Sequence, residues 1–185
     1  MNRKSFLHSL APLFAGFSLH ASNTKGRLLA VDEPDITMTV PPYLKKGDII
    51  GITCPAGFIS PADIQPAVAK LKEWGFEVRV GNTVGKRDFS FGGTDEERLQ
   101  DFQQMLDDKT VKAILCARGG YGAVRIIDKI DFTKLHEHPK WIIGFSDITV
   151  IHCHLISNYK VAAIHSKMCN SFPEDWNLAE QVQKD

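Results

Sequence analysis

Ser146 and Asp147 lie between an apolar run that ends at Gly144 and an apolar pattern of helical spacing that begins at Ile148. This order predicts a strand, a sharp turn and a helix, with a hydroxyl group at the turn. A serine held there lies beside the free backbone N–H groups of a helix start, which suits a nucleophile whose attack creates an oxyanion. The same pattern is typical of a helix N-cap serine, so the local sequence leaves both interpretations open.

A glycine pair offers a second source of backbone donors. Gly119 and Gly120 follow an apolar run and Arg118 directly, and glycine permits close backbone approach and unusual φ/ψ angles. The pair could aim an N–H group at the same oxyanion, or it could form a tight strand-to-helix turn or a phosphate cradle. Because the run lacks both the G-x-G-x-x-G spacing and the P-loop lysine, the sequence argues against nucleotide binding.

The histidines and cysteines form no familiar metal-binding pattern. His152 and His154 are two residues apart on a predicted helix, so they point to different sides and are poorly placed to chelate one metal. His165 ends a predicted strand and is either a base for Ser146 or a structural residue near it. The four cysteines form no C-x-x-C pair and are expected to be free thiols. We therefore expect no metal and no other cofactor.

Strand and helix patterns alternate along the chain, and this alternation predicts an α/β fold with a mostly parallel sheet and helices on both faces. The predicted strands span residues 47–54, 76–80, 111–116, 141–144 and 161–164. The predicted helices start at Ser60 or Asp63, at Thr94, near Ala123 (running through Ile130) and after Ser146 (running to about Asn158). Ligands of such sheets bind beyond the carboxyl ends of the strands, so the loops 54–57, 118–122 and 144–147 should form one site.

Composition and charge narrow the class of partner. The chain of 185 residues is long enough for one domain and short for two, and its 43% hydrophobic and 24% charged residues are ordinary for a globular protein. Lysine plus arginine (22) balances aspartate plus glutamate (22), and no long basic run occurs. A neutral chain argues against nucleic acid or an anionic membrane as the main partner.

The amino terminus has the order of a signal peptide. Basic residues come first, an apolar stretch follows, and small residues close the segment 1–22. The apolar part is too short for a stable membrane span. We expect export to the periplasm, with a cytoplasmic location as the alternative. Residues 23–43 are interpreted as a linker, 44–170 as the domain with the candidate nucleophile, and 171–185 as the start of a connection to a further domain.

Four motifs occur in order within residues 44–170: GDIIGI with PAG (47–57), FGGTDEER (91–98), RGGYG (118–122) and GFSDIT (144–149). Together they resemble the LD-carboxypeptidase family of serine peptidases, which includes muramoyltetrapeptide carboxypeptidase and the microcin C immunity amidases. In that family a Ser-Glu-His triad releases the terminal D-alanine from the tetrapeptide stem of peptidoglycan fragments without a metal.

The resemblance implies that Ser146 is the nucleophile and that the backbone N–H groups of Gly120 and Asp147 stabilise the oxyanion. The family's glutamate and histidine come from a second, carboxyl-terminal domain, so neither triad partner is in this chain. The resemblance also implies histidine-glycine-proline after the fifth strand, where this chain has His165 followed by Ser166 and Lys167. These two replacements change the residues that shape a substrate-contacting loop.

The expected function is that of a metal-independent serine LD-carboxypeptidase acting on muropeptides, in a truncated chain with little activity of its own. One alternative is a serine amidase of the microcin-immunity type. Another is a non-catalytic module that binds muropeptides and has lost the chemistry. The sequence does not fix the oligomeric state, and a homodimer remains open.

Overall fold

The computed structural model describes residues 37–173, and every structural statement below refers to this part of the chain. The predicted signal peptide (1–22), most of the predicted linker and all but the first residues of the predicted connection (171–185) lie outside it. The domain limits and export therefore stay predictions.

Five parallel strands alternate with helices in residues 37–173, which confirms the predicted α/β class. In chain order the elements are β1 (Ile49–Thr53), α1 (Gln65–Glu73), β2 (Glu77–Val80), α2 (Asp95–Asp107), β3 (Val111–Cys116), α3 (Ala123–Ile126), β4 (Trp141–Gly144), α4 (Thr149–His154) and β5 (Ile164–His165). The strands pair in the order β2-β1-β3-β4-β5, and every pairing is parallel. All five carboxyl ends therefore lie at one edge of the sheet.

Apolar side chains cover both faces of the sheet. In β3, Ile114 and Cys116 point into a core shared with α2, α3 and α4, whereas Ala113 and Leu115 point into a core shared with α1. This alternation follows from the two-residue period of a strand. Because both faces are covered, the central strand is apolar almost throughout, as the sequence pattern predicted.

The start of α2 confirms the predicted capping box. The backbone N–H of Glu97 donates to Thr94 Oγ1 over 3.2 Å, and the backbone N–H of Thr94 donates to Glu97 Oε2 over 2.9 Å. These two hydrogen bonds satisfy donors that a helix start otherwise leaves unpaired. They also fix where the polar loop before α2 ends.

The predicted start of the first helix is wrong. Neither Ser60 nor Asp63 caps it, because α1 begins at Gln65 after Ile64, which makes no side-chain cap. The backbone N–H of Asp63 instead donates to Ser60 Oγ over 3.2 Å, in a separate turn. Pro66 lies in the first turn of α1, where a missing N–H costs nothing.

Two further boundaries differ from the prediction. The α-helical part of α3 ends at Ile126, whose φ of −115° departs from helical geometry, and the chain continues as a 3₁₀ turn at Ile127–Lys129. The last strand begins at Ile164 rather than at Val161. The backbone around Val161 pairs with Thr39 instead, through hydrogen bonds of 2.7 and 2.9 Å.

Candidate active site

The loops after β1, β3, β4 and β5 meet at the carboxyl edge of the sheet, as the topology predicted. The backbone N–H of Gly57 donates to the carbonyl of Gly119 over 2.9 Å, which joins the loops after β1 and β3. The backbone N–H of Ser166 donates to the carbonyl of Gly144 over 2.9 Å, which joins β5 to the end of β4. The candidate site is therefore built by direct hydrogen bonds between the loops.

Ser146 occupies a turn with strained backbone geometry. Its φ is +59°, in the left-handed region that residues other than glycine rarely adopt. The residue before the short 3₁₀ segment Ser146–Ile148 is Phe145, and no side chain caps that segment. The N-cap interpretation of Ser146 is therefore wrong. The serine is exposed at the edge of the sheet, in the kind of strand-to-helix turn that presents a nucleophile.

The glycine loop after β3 lies directly against this serine. A Cβ atom added at Gly119 would lie 3.2 Å from the Cβ of Ser146 and 3.3 Å from the Cε of Met168, so only glycine fits comfortably. Gly120 has a φ of +106°, which favours glycine for conformational reasons. The close contact at Gly119 and the positive φ at Gly120 together explain why both positions are glycine.

Two backbone donors of the site have no partner. Within residues 37–173, the N–H groups of Gly120 and Asp147 donate to no protein acceptor. Both belong to loops that flank Ser146, which is where donors to an oxyanion would be required. The arrangement is compatible with the role that the sequence resemblance implies for these two residues.

The side chain of Asp147 has a role that the sequence did not reveal. Its Oδ2 accepts a hydrogen bond of 2.9 Å from the backbone N–H of Ala123, the first residue of α3. The carboxylate therefore caps a different helix from the one that follows it in sequence. It links the serine turn to the loop of Gly119 and Gly120.

A buried arginine on α2 makes hydrogen bonds to the same loops. Arg98, on α2, has no exposed surface, and its Nη1 donates to the carbonyls of Pro55 (2.6 Å) and Gly122 (2.9 Å). Its Nη2 pairs with the carboxylate of Asp95. Burial lowers the pKa of the Arg98 guanidinium, and the charge of Asp95 opposes that shift. Arg98 thus fixes the loops after β1 and β3 relative to α2.

Asp101 anchors the end of β1 in a similar way. Its carboxylate is 3% exposed and accepts hydrogen bonds from the hydroxyl of Thr53 (2.6 Å) and the backbone N–H of Asn82 (2.7 Å). We did not single out Arg98 or Asp101 from the sequence. A signal was present, since Arg98 lies four residues before the buried Phe102 and Asp101 lies four residues before the buried Met105.

His165 lies at the candidate site but makes no hydrogen bond with Ser146. Its ring packs against the rings of Phe145 and His152, with centroids 6.2 and 6.3 Å apart. His152 is 5% exposed, and its Nε2 has no hydrogen-bond partner among the described residues. Burial lowers the pKa of His152, the charge of His165 lowers it further, and a hydrogen bond with the Ile142 backbone opposes both. Of the two predicted roles for His165, the contacts favour the structural one.

The described residues offer no place for a metal ion. No group of three or more histidine, cysteine, aspartate or glutamate side chains in residues 37–173 is arranged to hold one. All four cysteines are free, and three of them are buried. Burial raises the pKa of the Cys54 and Cys169 thiols to about 12, which keeps them protonated and unreactive. None of the helices in this range is long and apolar enough to cross a membrane.

A parallel α/β sheet with a strained, exposed serine turn at its carboxyl edge is the arrangement of hydrolases that use a nucleophile elbow. The chain belongs to the LD-carboxypeptidase family: residues 50–166 match its N-terminal domain. This family consists of peptidases, which are hydrolases, and the match covers three of the four sequence motifs entirely and most of the first.

Individual relatives agree with this assignment. A probable murein peptide carboxypeptidase of Bacillus subtilis is 37% identical over 131 residues, which are 71% of this chain and 41% of that protein. A muramoyltetrapeptide carboxypeptidase from Oxalobacter formigenes superposes with a TM-score of 0.61 at 31% identity, covering 74% of this chain and 47% of the other. An MccF-like protein from Bacillus anthracis superposes with a TM-score of 0.66 at 28% identity, covering 75% and 43%. The chain therefore spans less than half the length of these relatives.

Proposed function

We propose that this chain is the nucleophile-bearing domain of a serine LD-carboxypeptidase that removes the terminal D-alanine from muropeptide tetrapeptides. The observation that carries the proposal is the exposed Ser146 at positive φ, with the unpaired N–H groups of Gly120 and Asp147 in the flanking loops. The names of the murein relatives support the substrate class. Export to the periplasm, where murein is exposed, is part of the same proposal.

The reaction proposed is acyl transfer through an ester. Ser146 Oγ attacks the carbonyl carbon that precedes the terminal residue, and the N–H groups of Gly120 and Asp147 stabilise the oxyanion. The C–N bond then breaks, and D-alanine leaves after its amine takes up the proton lost by the serine. Water hydrolyses the ester and restores the hydroxyl.

The serine needs a base that the described residues do not supply. No side chain in residues 37–173 forms a hydrogen bond with Ser146 Oγ, and a free hydroxyl is a weak nucleophile. We propose that a histidine and a glutamate from the second domain that the family resemblance implies, and not from residues 1–185, complete the triad. The 185-residue chain alone should then hydrolyse tetrapeptide at a rate at least about a thousandfold below that of the complete protein.

The test measures D-alanine release from an L,D-tetrapeptide by the complete natural protein and by its Ser146→Ala variant. The variant should lose at least about three orders of magnitude in kcat. Ser157→Ala is the matched control, because Ser157 is an exposed serine outside the site. Full activity of Ser146→Ala would overturn the nucleophile assignment. Rapid hydrolysis by the 185-residue chain would overturn the proposal that the base for Ser146 lies outside this chain.

A second candidate is a serine amidase of the microcin-immunity type, which the MccF-like structures favour. A peptidyl-nucleotide substrate separates the two activities. Hydrolysis of the peptidyl-nucleotide with no release of D-alanine from the tetrapeptide would favour the amidase. Tight muropeptide binding by the complete protein without turnover of either substrate would favour a binding module.

A further inference from the structure

A cleft of about 390 Å³ opens beside the glycine loop of the candidate site. Its walls include Phe58, Tyr121 and the backbone of Gly119 and Gly120, and its only charged lining residues are Arg87 and Arg118. No acidic side chain lines it. The cleft therefore combines a concentrated positive charge with direct access to the proposed oxyanion donor.

The two arginines of the cleft differ from the others in the described residues. Arg79 pairs with Asp108, while Arg98 and Arg125 both pair with Asp95. Arg87 and Arg118 form no ion pair with a carboxylate in residues 37–173, although both are exposed. Arginines that lack an acidic partner, and that share one cleft, are available to an external anion.

Both guanidinium groups are nevertheless held in place. Arg118 Nη1 donates to the carbonyl of Phe58 over 3.1 Å, and Arg87 Nε donates to the carbonyl of Phe89 over 2.9 Å. The guanidinium of Arg87 also lies over the ring of Phe58, 5.1 Å from its centroid. Each group uses one of its five N–H donors in this way, so most donors stay available. Prior anchoring reduces the entropy lost when a ligand binds.

We propose that Arg87 and Arg118 form an anion subsite for the leaving-group side of the substrate, an inference that rests on the proposed function of Ser146. In a peptide, the terminal carboxylate lies about 4 Å beyond the scissile carbonyl carbon, because that is the spacing of consecutive residues. A group held by Gly120 at its carbonyl would therefore place the next anion in this cleft. The subsite explains why the substrate must end at the residue that is released.

The same chemistry fits two sources of negative charge. One is the carboxylate of a terminal D-alanine, and the other is the phosphate of a peptidyl-nucleotide. The experiment uses an L,D-tetrapeptide, its C-terminal carboxamide and a peptidyl-nucleotide as probes. Their dissociation constants are measured with the complete protein carrying Ser146→Ala, so that binding is separated from turnover.

The free acid should bind at least about tenfold more tightly than the carboxamide. Adding Arg118→Gln or Arg87→Gln should reduce this ratio of dissociation constants to below about threefold. Arg118→Lys should retain part of the ratio, which distinguishes a charge effect from a folding defect. Arg79→Gln removes a partly buried arginine outside the cleft and should leave the ratio unchanged.

The outcomes are separable from those of the proposed function. If both glutamine variants keep the preference for the free acid and bind the peptidyl-nucleotide with unchanged affinity, the subsite is overturned, even if Ser146 proves to be the nucleophile. Arginine-dependent binding of the peptidyl-nucleotide alone would support the subsite and identify phosphate as its anion. Arginine-dependent binding in a protein that never hydrolyses the tetrapeptide would support the subsite while rejecting the carboxypeptidase.

Discussion

The carboxylate of Asp147 accepts a hydrogen bond from the backbone N–H of Ala123 over 2.9 Å, although the two residues are 24 positions apart. This bond caps α3 and at the same time joins the serine turn to the glycine loop. Because both proposed oxyanion donors belong to these segments, the Asp147 side chain contributes directly to their relative position. Removing it should affect catalysis more than stability.

Replacing Asp147 tests this coupling. Asp147→Ala should cost about 1–2 kcal/mol of unfolding free energy, as expected for a lost helix cap, and should lower kcat while leaving the substrate affinity similar. Asp147→Asn keeps an oxygen acceptor and should retain most of both properties. Urea unfolding and D-alanine release by the complete protein are the measurements. Asp128→Ala, an exposed aspartate of the same region, is the control. Equal kcat values for Asp147→Ala and Asp128→Ala would contradict the coupling.

The positive φ of Ser146 predicts a reversal of the usual effect of glycine. A non-glycine residue in the left-handed region costs about 1–2 kcal/mol, so Ser146→Gly should be more stable than Ser146→Ala by about 0.5–1 kcal/mol. At Ser157, inside the helical turn Leu155–Tyr159, glycine should be less stable than alanine by a similar amount. Chemical denaturation of the four variants checks the prediction. The same sign at both sites would mean that Ser146 is unstrained.

The contact between Gly57 and Gly119 predicts a defect in the site. A Cβ atom added at Gly57 would collide with the carbonyl oxygen of Gly119, so Gly57→Ala must separate the two loops at a cost of about 1–3 kcal/mol. The rate of tetrapeptide hydrolysis by the complete protein should fall as the two loops separate. Gly47→Ala is the control, because Gly47 has a φ of +89° but no atom within 4 Å of its added Cβ. It should lose stability without losing activity below its melting temperature.

The buried Lys140 predicts a rise in stability at alkaline pH. Its Nζ donates to the carbonyls of Met105 and Asp108, and burial lowers its pKa from 10.5 to about 8. Between these two values the unfolded chain binds more protons than the folded one, so raising the pH favours the folded state. The unfolding free energy gained when Lys140 loses its proton should reach about 3 kcal/mol by pH 10.5, and this gain should disappear as the pH falls through 8.

Unfolding free energies measured between pH 7.5 and 10.5 test this effect by difference. The Lys140→Met variant should lack the rise, whereas Lys129→Met, which removes an exposed lysine, should keep it. A parallel pH dependence of Lys140→Met and the unmodified protein would show that Lys140 keeps its ordinary pKa in the fold.

Much of the architecture could be predicted because it depends on local patterns. Apolar runs that alternate with segments of helical periodicity are sufficient to predict β1, β3 and β4. The parallel order of the strands follows from this alternation with helices. The capping box at Thr94 is also local, since both partners lie within one turn. The start of α1 was predicted wrongly because Ser60 and Asp63 satisfy each other in a separate turn, an equally local alternative that the sequence does not exclude.

The order of the elements, the serine turn and the glycine loop were therefore accessible from the sequence, because each depends on residues close to one another along the chain. Three features emerged only in three dimensions: the capping of α3 by Asp147, the hydrogen bonds that Arg98 makes to two loops, and the shared cleft of Arg87 and Arg118, which have no carboxylate partner in residues 37–173. These contacts join segments brought together by the sheet, so their partners depend on strand order rather than on local propensity. The loops that meet at the carboxyl edge were predictable, but the interactions that hold them in position required the folded chain.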